Sequence, residues 1–508
     1  MPILEKPFIV LWASLYLAAV LLIGFWAARR TQSAKDFFIA GQRVGLLVTG
    51  LATMSAAFSG FVFIGGPGLT YRMGVASLFI CIPVSFTAGL LCWSVAKRLR
   101  LLAGVREVFT IPDAFFYRFQ CRRTSGLAAV AIVFGTVAYL GAQLLAMGRL
   151  IEAIFGTREL FGHWSLAIAM TLGLVVVLTY SVAGGMVAGV YTDLFQGALM
   201  VVAAGGVFYY AMKAGGGLGS IAETIAGSDR FGPEFLDPLG SVPIFTALGF
   251  FFVFGLGNLG QPHMLHKFYM LDDPRKLKWF PLLLGFTQSA CVLIWLGIGL
   301  AVPALVVGGR LAPLERPDDA APAFLLNFVP EMLAGLVFAG VLAAIMSSAD
   351  SFVNIASAAW VRDLPRALGR PIANELAWGR VATIGTAGLA AVVAYFYGDL
   401  IALLGTFAFG TFGAALGPAL AIGLNWKRVT AGAASASILT GMSLNIALEL
   451  LQRQSLFPSL PAIPFAPGVL PTAVSLAASF TVLLAVSWWQ GTENGEVQDP
   501  AVREVMEM

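Results

Sequence analysis

The sequence predicts an all-α integral membrane protein with about thirteen transmembrane helices. Composition is the first reason: 11% of the 508 residues are charged and 58% are hydrophobic, whereas soluble domains carry about 25% charged residues. The second reason is that apolar runs long enough to cross a hydrocarbon core of about 30 Å recur along the whole chain. Their length is typical of helices and not of barrel strands. A soluble enzyme, a disordered protein and a nucleic-acid binder are therefore disfavoured.

The predicted spans follow one another with short connections. In chain order they cover residues 8–28, 44–70, 75–96, 125–152, 164–183, 187–212, 243–264, 279–307, 329–357, 377–397, 400–424, 429–451 and 470–489. The first run has no basic segment before it and is followed by Arg29 and Arg30. We therefore expect it to be a retained span and not a cleaved signal peptide.

The lysines and arginines of the loops predict the orientation of the chain. Of the 31 basic residues, twenty-two lie in one set of loops, with Lys267 counted among them, eight lie in the other set, and Arg149 lies inside a span. Because cytoplasmic loops carry the excess of positive charge, we expect the N-terminus outside and the C-terminus in the cytoplasm. The predicted location is the cell membrane, plasma or inner, with multiple spans.

Two of the spans are interrupted by glycine and proline. The second contains LATMSAAFSGFVFIGGPGLTYR (51–72), and the seventh contains FFFVFGLGNLGQPHMLHKF (250–268). Broken helices at matching places in two halves are typical of inverted-repeat secondary transporters, since unpaired backbone groups are tolerated at membrane depth only where they are buried or line a cavity. The alternative is close helix packing through small residues.

These breaks divide the chain into four predicted parts. Residues 1–43 hold the first span and a cytoplasmic loop, and residues 44–242 hold the first inverted repeat, spans two to six, with an external loop. Residues 243–424 hold the second inverted repeat, spans seven to eleven. Residues 425–508 hold two additional spans and a short cytoplasmic tail.

Two carboxylates, Asp193 and Asp350, are predicted to lie about 10 Å inside the same face of the membrane, at 1.5 Å per helical residue. No lysine or arginine of a predicted span shares that depth, so a bound cation is the expected partner. Snorkelling, or helix capping near a membrane boundary, is the alternative. Near Asp350, Ser347, Ser348 and Ser351 lie on one face of span nine. They offer oxygen ligands to a hard cation, or bond back to their own helix.

Five stretches, in order along the chain, resemble one transporter family. They are FFIAGQRVG (37–45), FSGFVFIGGPG (58–68), GGMVAGVYTDLFQG (184–197), GQPHMLHKF (260–268) and AAIMSSADS (343–351). The set resembles the sodium/solute symporter family, which includes proline and pantothenate permeases and sodium/glucose cotransporters. The resemblance covers roughly residues 8–450, and it implies a LeuT-type five-plus-five inverted repeat with discontinuous helices.

The resemblance also implies a set of binding residues. The main sodium site would use the backbone carbonyls of Ser55, Phe58 and Ala344 with the hydroxyls of Ser347 and Ser348. A second sodium, or coupling, site would use Asp193, Asp350 and Ser351. The expected substrate-binding residues are Tyr139, Ser59, Phe254, Gly255, Asn258 and Gln261. Phe254 and Asn258 stand where proline permeases have Trp and Tyr, and Ala57 replaces an acidic residue.

The expected function is sodium-coupled secondary active symport by alternating access, and not enzyme catalysis. The chain would import a small polar organic solute, an amino acid such as proline or a carboxylate such as pantothenate, with Na+ as coupling ion. The lipid bilayer and the solute are the expected partners, with no nucleic acid and no obligate protein partner. Two alternatives remain open: a proton-coupled solute carrier, and a transporter-derived membrane sensor.

Overall fold

The computed structural model describes residues 6–240, 242–397, 401–452, 468–490, 497 and 499–508. The regular secondary structure of these residues is helical, apart from one parallel backbone pairing of Val44 with Leu271. Within the described residues, ten helices are long and apolar enough to cross a membrane. The all-α multi-pass class is thus confirmed. The count of thirteen and the four-part division stay predictions. Arg453, one of the eight basic residues predicted to lie in the external loops, is not among the described residues.

The predicted spans coincide with helices to within a few residues. The long α-helices are Pro7–Ala28, Leu46–Ala57, Leu78–Leu91, Arg122–Phe155, Ser165–Gly215, Ile244–Gly257, Phe280–Val307, Glu331–Ala358, Glu375–Tyr397, Ile401–Ala421, Ala431–Gln452 and Pro471–Gln490. The shorter α-helices are Ala34–Ile39, Gly66–Met73, Lys97–Val105, Ile111–Phe119, Thr157–Phe161, Leu218–Ala226, Pro262–Tyr269, Ala320–Phe328, Leu364–Ala367 and Pro500–Glu507. π-Helical turns occupy Phe61–Gly65, Cys92–Ala96 and Ala359–Asp363.

The first broken helix consists of Leu46–Ala57 and the helical residues 61–73. It breaks because Phe58 adopts an extended conformation, with φ −96° and ψ 102°. The helix resumes after Gly60, where a Cβ atom would lie 2.7 Å from Ala146 Cβ and 2.8 Å from Ile345 Cγ1. Glycine therefore lets the break approach two neighbouring helices closely.

The second broken helix consists of Ile244–Gly257, a 3-10 turn at Asn258–Gly260, and Pro262–Tyr269. Gln261 is extended, with φ −79° and ψ 102°, and Pro262 begins the short half, where its missing N–H costs nothing. The short half packs against Leu46–Ala57 of the first broken helix. The two broken helices therefore meet within the protein.

Two further helices enclose the breaks. The kinked helix, Ser165–Gly215, contains predicted spans five and six as two arms that meet at Gly185, which has a left-handed φ of 52°. The serine helix, Glu331–Ala358, is buried over almost its whole length and packs against the kinked helix. Both contact Leu46–Ala57, so the candidate site lies where these helices and the breaks meet.

Candidate functional site

The first break releases backbone carbonyls of residues 56–58 from helical bonding. In a continuous α-helix these oxygens would accept from the amides four residues ahead. Those amides bond elsewhere: Gly60 N–H to Gln143 Oε1 at 3.0 Å, Phe61 N–H to Ser59 Oγ at 3.2 Å, and Val62 N–H to the Ser59 carbonyl at 2.9 Å. The break therefore presents buried carbonyl oxygens to the serine helix.

Ser348 of the serine helix faces the first of these oxygens. The Ser348 hydroxyl lies 3.1 Å from the Ala56 carbonyl and 3.2 Å from the Ala344 carbonyl, and it can donate to either. The Ser55 hydroxyl has no hydrogen-bond partner among the described residues. Carbonyl and hydroxyl oxygens are the ligands that hard cations prefer, so this group fits a sodium ion. The carbonyl nearest Ser348 belongs to Ala56, which the sequence prediction did not include. The ligand roles of Ser55, Phe58, Ala344, Ser347 and Ser348 stay a prediction.

Asp193 has a basic partner, contrary to the sequence prediction. Lys267 Nζ lies 2.6 Å from Asp193 Oδ2, both side chains have no exposed surface, and the Ser347 hydroxyl donates to Asp193 Oδ1. The prediction that Lys267 lies in a loop is wrong, because the short half of the second broken helix continues to Tyr269 and packs Lys267 inward. The expectation that no basic side chain meets these carboxylates is wrong for the same reason.

Asp350 is held separately from Asp193. Its Oδ1 accepts from the Ser181 hydroxyl and, at 3.0 Å, from Asn354 Nδ2. Its Oδ2 and the Ser351 hydroxyl have no hydrogen-bond partner in the described part of the chain. Gly189 makes room for this carboxylate, because a Cβ there would lie 2.2 Å from Asp350 Oδ2. The predicted second sodium site at Asp193, Asp350 and Ser351 is untested and stays a prediction.

A narrow cavity of about 30 Å³ lies beside the first break. It is lined by Ala57, Phe58, Phe61, Val62, Ile80, Cys81, Val84, Tyr139, Phe254, Asn258, Met264, Trp295 and Phe409. Of the expected substrate residues, Tyr139, Phe254 and Asn258 are therefore brought together. The oxygen Oδ1 of Asn258 has no hydrogen-bond partner within the described ranges, so it is free to accept from a solute.

The other expected substrate residues do not line this cavity. Gln261 Nε2 donates to the carbonyls of Gly257 and Phe409, both at 2.9 Å. Ser59 accepts from the Phe61 amide, and Gly255 packs close to Pro83. Their observed contacts stabilise the broken helices, and their role as substrate contacts stays a prediction.

A family comparison decides the class of this site. A profile of the sodium:solute symporter family matches residues 37–441 of the chain.

The chain belongs to the sodium:solute symporter family.

It is therefore a sodium-coupled solute symporter and not an enzyme, with sodium as its coupling ion. Two similar relatives cover most of it. The osmoregulated proline transporter OpuE of Bacillus subtilis is 29% identical over 449 residues, covering 85% of this chain and 87% of the relative. The sodium/proline symporter of Escherichia coli is 29% identical over 442 residues, covering 84% of each chain.

Solved structures establish the fold of this symporter. A Na+-coupled sialic acid symporter superposes with a TM-score of 0.75 at 18% identity, covering 95% of this chain and 98% of that one. MhsT in complex with L-phenylalanine gives a TM-score of 0.54 at 14% identity, covering 87% and 98%. The symporter thus has the LeuT-type fold that the sequence predicted.

Aromatic rings form much of the cavity wall, and Phe61, Phe409 and Trp295 among them were not expected from the sequence. Phe254 stacks on Phe61 and Phe409, with ring centroids 5.6 and 4.6 Å apart, and Trp295 meets Phe61 edge-on at 5.9 Å. Trp295 Nε1 donates to the Ser77 hydroxyl at 3.2 Å, which fixes the indole. The sequence signal for this wall was Trp295, a tryptophan within a predicted span. The partners of these rings come from four separate helices, and no local pattern records such contacts.

Proposed function

We propose that the symporter imports a small polar organic solute across the cell membrane by alternating access. The candidates are an amino acid such as proline and a carboxylate such as pantothenate. One observation carries this proposal: Phe58 belongs to both candidate sites. Phe58 is one of the residues that line the cavity, and its carbonyl is freed by the break that Ser348 faces. Sodium bound at the break would therefore fix one wall of the solute cavity.

The sodium ion would join the first broken helix to the serine helix. Its ligands would be the carbonyls of Ser55, Phe58 and Ala344 and the hydroxyls of Ser347 and Ser348. The Ser348 hydroxyl, which now faces the Ala56 and Ala344 carbonyls, would turn its lone pairs toward the ion. These two helices would then be held at one separation, which favours the conformation that admits solute.

The cavity supports a solute with a compact apolar body and a polar end. Phe61, Phe254 and Phe409 offer ring faces to the body, and Asn258 Oδ1 offers an acceptor to an amino or hydroxyl group. The cavity of about 30 Å³ is lined mostly by buried residues, so the walls must separate before a solute enters. The names of the two relatives, both proline transporters, support the amino-acid candidate.

Import follows from the proposed orientation. Without the buried Lys267, twenty-one basic residues against eight still support an external N-terminus and a cytoplasmic C-terminus. Sodium would then move into a negatively charged compartment, which supplies about 2.3 kcal/mol per charge per 100 mV. We further propose that the chain needs no obligate protein partner.

The test is uptake into liposomes that contain only the purified chain. With a sodium gradient, we expect accumulation of labelled proline, or of pantothenate, and no accumulation without the gradient. Ser348→Ala should reduce sodium-driven uptake at least tenfold, because it removes a ligand. Ser357→Ala is the matched control: this buried serine of the same helical segment donates to the Gly379 carbonyl at 2.7 Å, away from the break.

Three outcomes would contradict the proposal or a part of it. Uptake that ignores sodium but follows a pH gradient would establish a proton-coupled carrier. A folded chain that binds a solute but moves none, even with a sodium gradient, would favour the membrane sensor. Equal sodium-driven uptake by wild type and Ser348→Ala would remove the proposed sodium ligands.

A further inference from the structure

The buried pair of Lys267 and Asp193 stands next to the proposed sodium site. Ser347 connects the two places, since its hydroxyl donates to Asp193 Oδ1 while Ser348, the next residue, faces the first break. Lys267 reaches Asp193 from the short half of the second broken helix. The kinked helix, the serine helix and the second broken helix thus meet at one carboxylate.

From this geometry we propose that the Lys267 ammonium is a built-in cation that occupies the place of a second sodium ion. The wild-type symporter would then bind a single sodium ion. This inference rests on the proposed function, because Ser347 is a proposed ligand of the first sodium ion and also contacts Asp193.

The Lys267 ammonium can take the place of a sodium ion at Asp193 because both are small cations with a single positive charge. An ammonium is a compact single positive charge that donates to oxygen atoms, and Asp193 Oδ2 already lies 2.6 Å from it. A sodium ion at the same carboxylate would meet the ammonium at close range, inside a site with no exposed surface. Like charges at that distance and burial repel strongly, so the carboxylate accommodates one cation or the other.

Further oxygen ligands are already present for an ion if the ammonium is removed. Ser351 follows Ser347 by one helical turn and so lies on the same face of the serine helix. Its hydroxyl and Asp350 Oδ2 are buried and have no hydrogen-bond partner within the described chain. Without the Lys267 charge, Asp193, Ser347 and these two oxygens would have no basic side chain as a partner among the described residues. The symporter itself therefore holds the parts of a second sodium site.

The experiment counts sodium ions bound by the purified full-length chain, with sodium alone as the probe. We expect wild type to bind one ion per protein at saturation. Lys267→Met keeps the length and apolar stem of the side chain without its charge, and it should bind two. The double variant Asp193→Asn/Lys267→Met lacks both charges and should return to one.

A second pair of variants separates this inference from the proposed function. Ser348→Ala should bind no sodium with its Lys267 intact, whereas Ser348→Ala/Lys267→Met should bind one ion at the new site. Lys278→Met is the control, because Lys278 is a basic residue that contacts the Trp279 ring and not this cluster. If wild type binds no sodium at all, the proposed sodium site fails first.

Two results would overturn the inference. One is a wild type that binds two ions at saturation. The other is a folded Lys267→Met, shown by a sodium-induced rise in its thermal unfolding midpoint, that still binds a single ion; Lys267 would then be a structural partner of Asp193 only. If Lys267→Met does not fold, the wild-type count decides, together with Lys267→Gln as a polar replacement.

Discussion

Gln143 supports the first break through a single acceptor atom. Its Oε1 accepts the Gly60 amide at 3.0 Å, and both groups are fully buried. The amide has left the Ala56 carbonyl, so without Gln143 it would be a buried donor with no partner. An unpaired buried amide costs about 1–3 kcal/mol. Gln143 therefore supports the backbone of the first break.

We expect Gln143→Leu to lower the free energy of unfolding by about 1–3 kcal/mol and to weaken sodium-driven uptake. The chain offers a matched control in Gln288→Leu, since the Gln288 amide is buried with neither atom partnered in the described residues. That substitution should leave stability unchanged or raise it. Thermal unfolding of the two variants in detergent checks this, and equal midpoints would show that the Gly60 bond contributes little.

At the scale of the element, Gly185 separates the two arms of the kinked helix. Its φ of 52° is left-handed, and a Cβ there would lie 2.5 Å from Phe37 Cδ2 and 2.8 Å from the Phe37 carbonyl oxygen. The arm that follows Gly185 holds Asp193 next to Lys267 and Ser347. A change of the kink angle would therefore be transmitted to the buried ion pair.

Gly185→Ala should destabilise the symporter by at least 1–2 kcal/mol from the left-handed backbone alone, with the contact to Phe37 added. Gly205→Ala is the control on the same helix, because a Cβ there meets nothing within 4 Å, and it should be neutral or slightly stabilising. The readouts are the unfolding midpoint and sodium binding. Unchanged sodium binding in a destabilised Gly185→Ala would show that the kink does not act on the sodium site through Asp193 and Ser347.

The positions of the helices were predictable from the sequence. The contacts between helices were predictable only in part. Apolar runs located the helices, and the glycines and prolines at 60–68 and 255–262 located both breaks. Lys267 was misplaced because its own helix is only eight residues long, too short to show an apolar face. Its burial depends on the first broken helix, which lies about 220 residues earlier in the chain. Phe61, Phe409 and Trp295 of the cavity wall were missed because their contacts join helices that are far apart in the chain.

At the scale of the whole molecule, the C-terminal helix, Pro500–Glu507, joins the last residues to the predicted cytoplasmic face. Asp499 binds Arg106 through two contacts at 2.6 and 2.8 Å, and Lys427 binds Glu507 at 2.8 Å. The Arg106 hydrogen bond holds the pKa of Asp499 below its ordinary value. The docking that this carboxylate stabilises is therefore complete above the ordinary pKa, about 3.9, and is lost as pH falls through the lowered value.

We expect Arg106→Met to loosen the C-terminal helix at neutral pH, with a loss of about 1 kcal/mol of docking free energy. Lys427→Met should leave it docked, since the Lys427 and Glu507 side chains are 62% and 53% exposed and such pairs contribute little. A spin label at Glu504→Cys measures this through its mobility. In wild type the label should become mobile only at pH below about 4, and a label that is mobile at neutral pH would contradict the docking.

Orientation is a property of the whole molecule that single cysteines can test. Asp229 and Leu368 are both exposed, and they lie in loops that are predicted to face opposite sides of the membrane. In a chain without its native cysteines, an impermeant maleimide added to intact cells should label Asp229→Cys and not Leu368→Cys. After permeabilisation both should react, which serves as the control for exposure. The reverse pattern would place the N-terminus in the cytoplasm, and the sodium site would then face the opposite gradient. The proposed direction of transport, import with sodium, would have to be reversed as well.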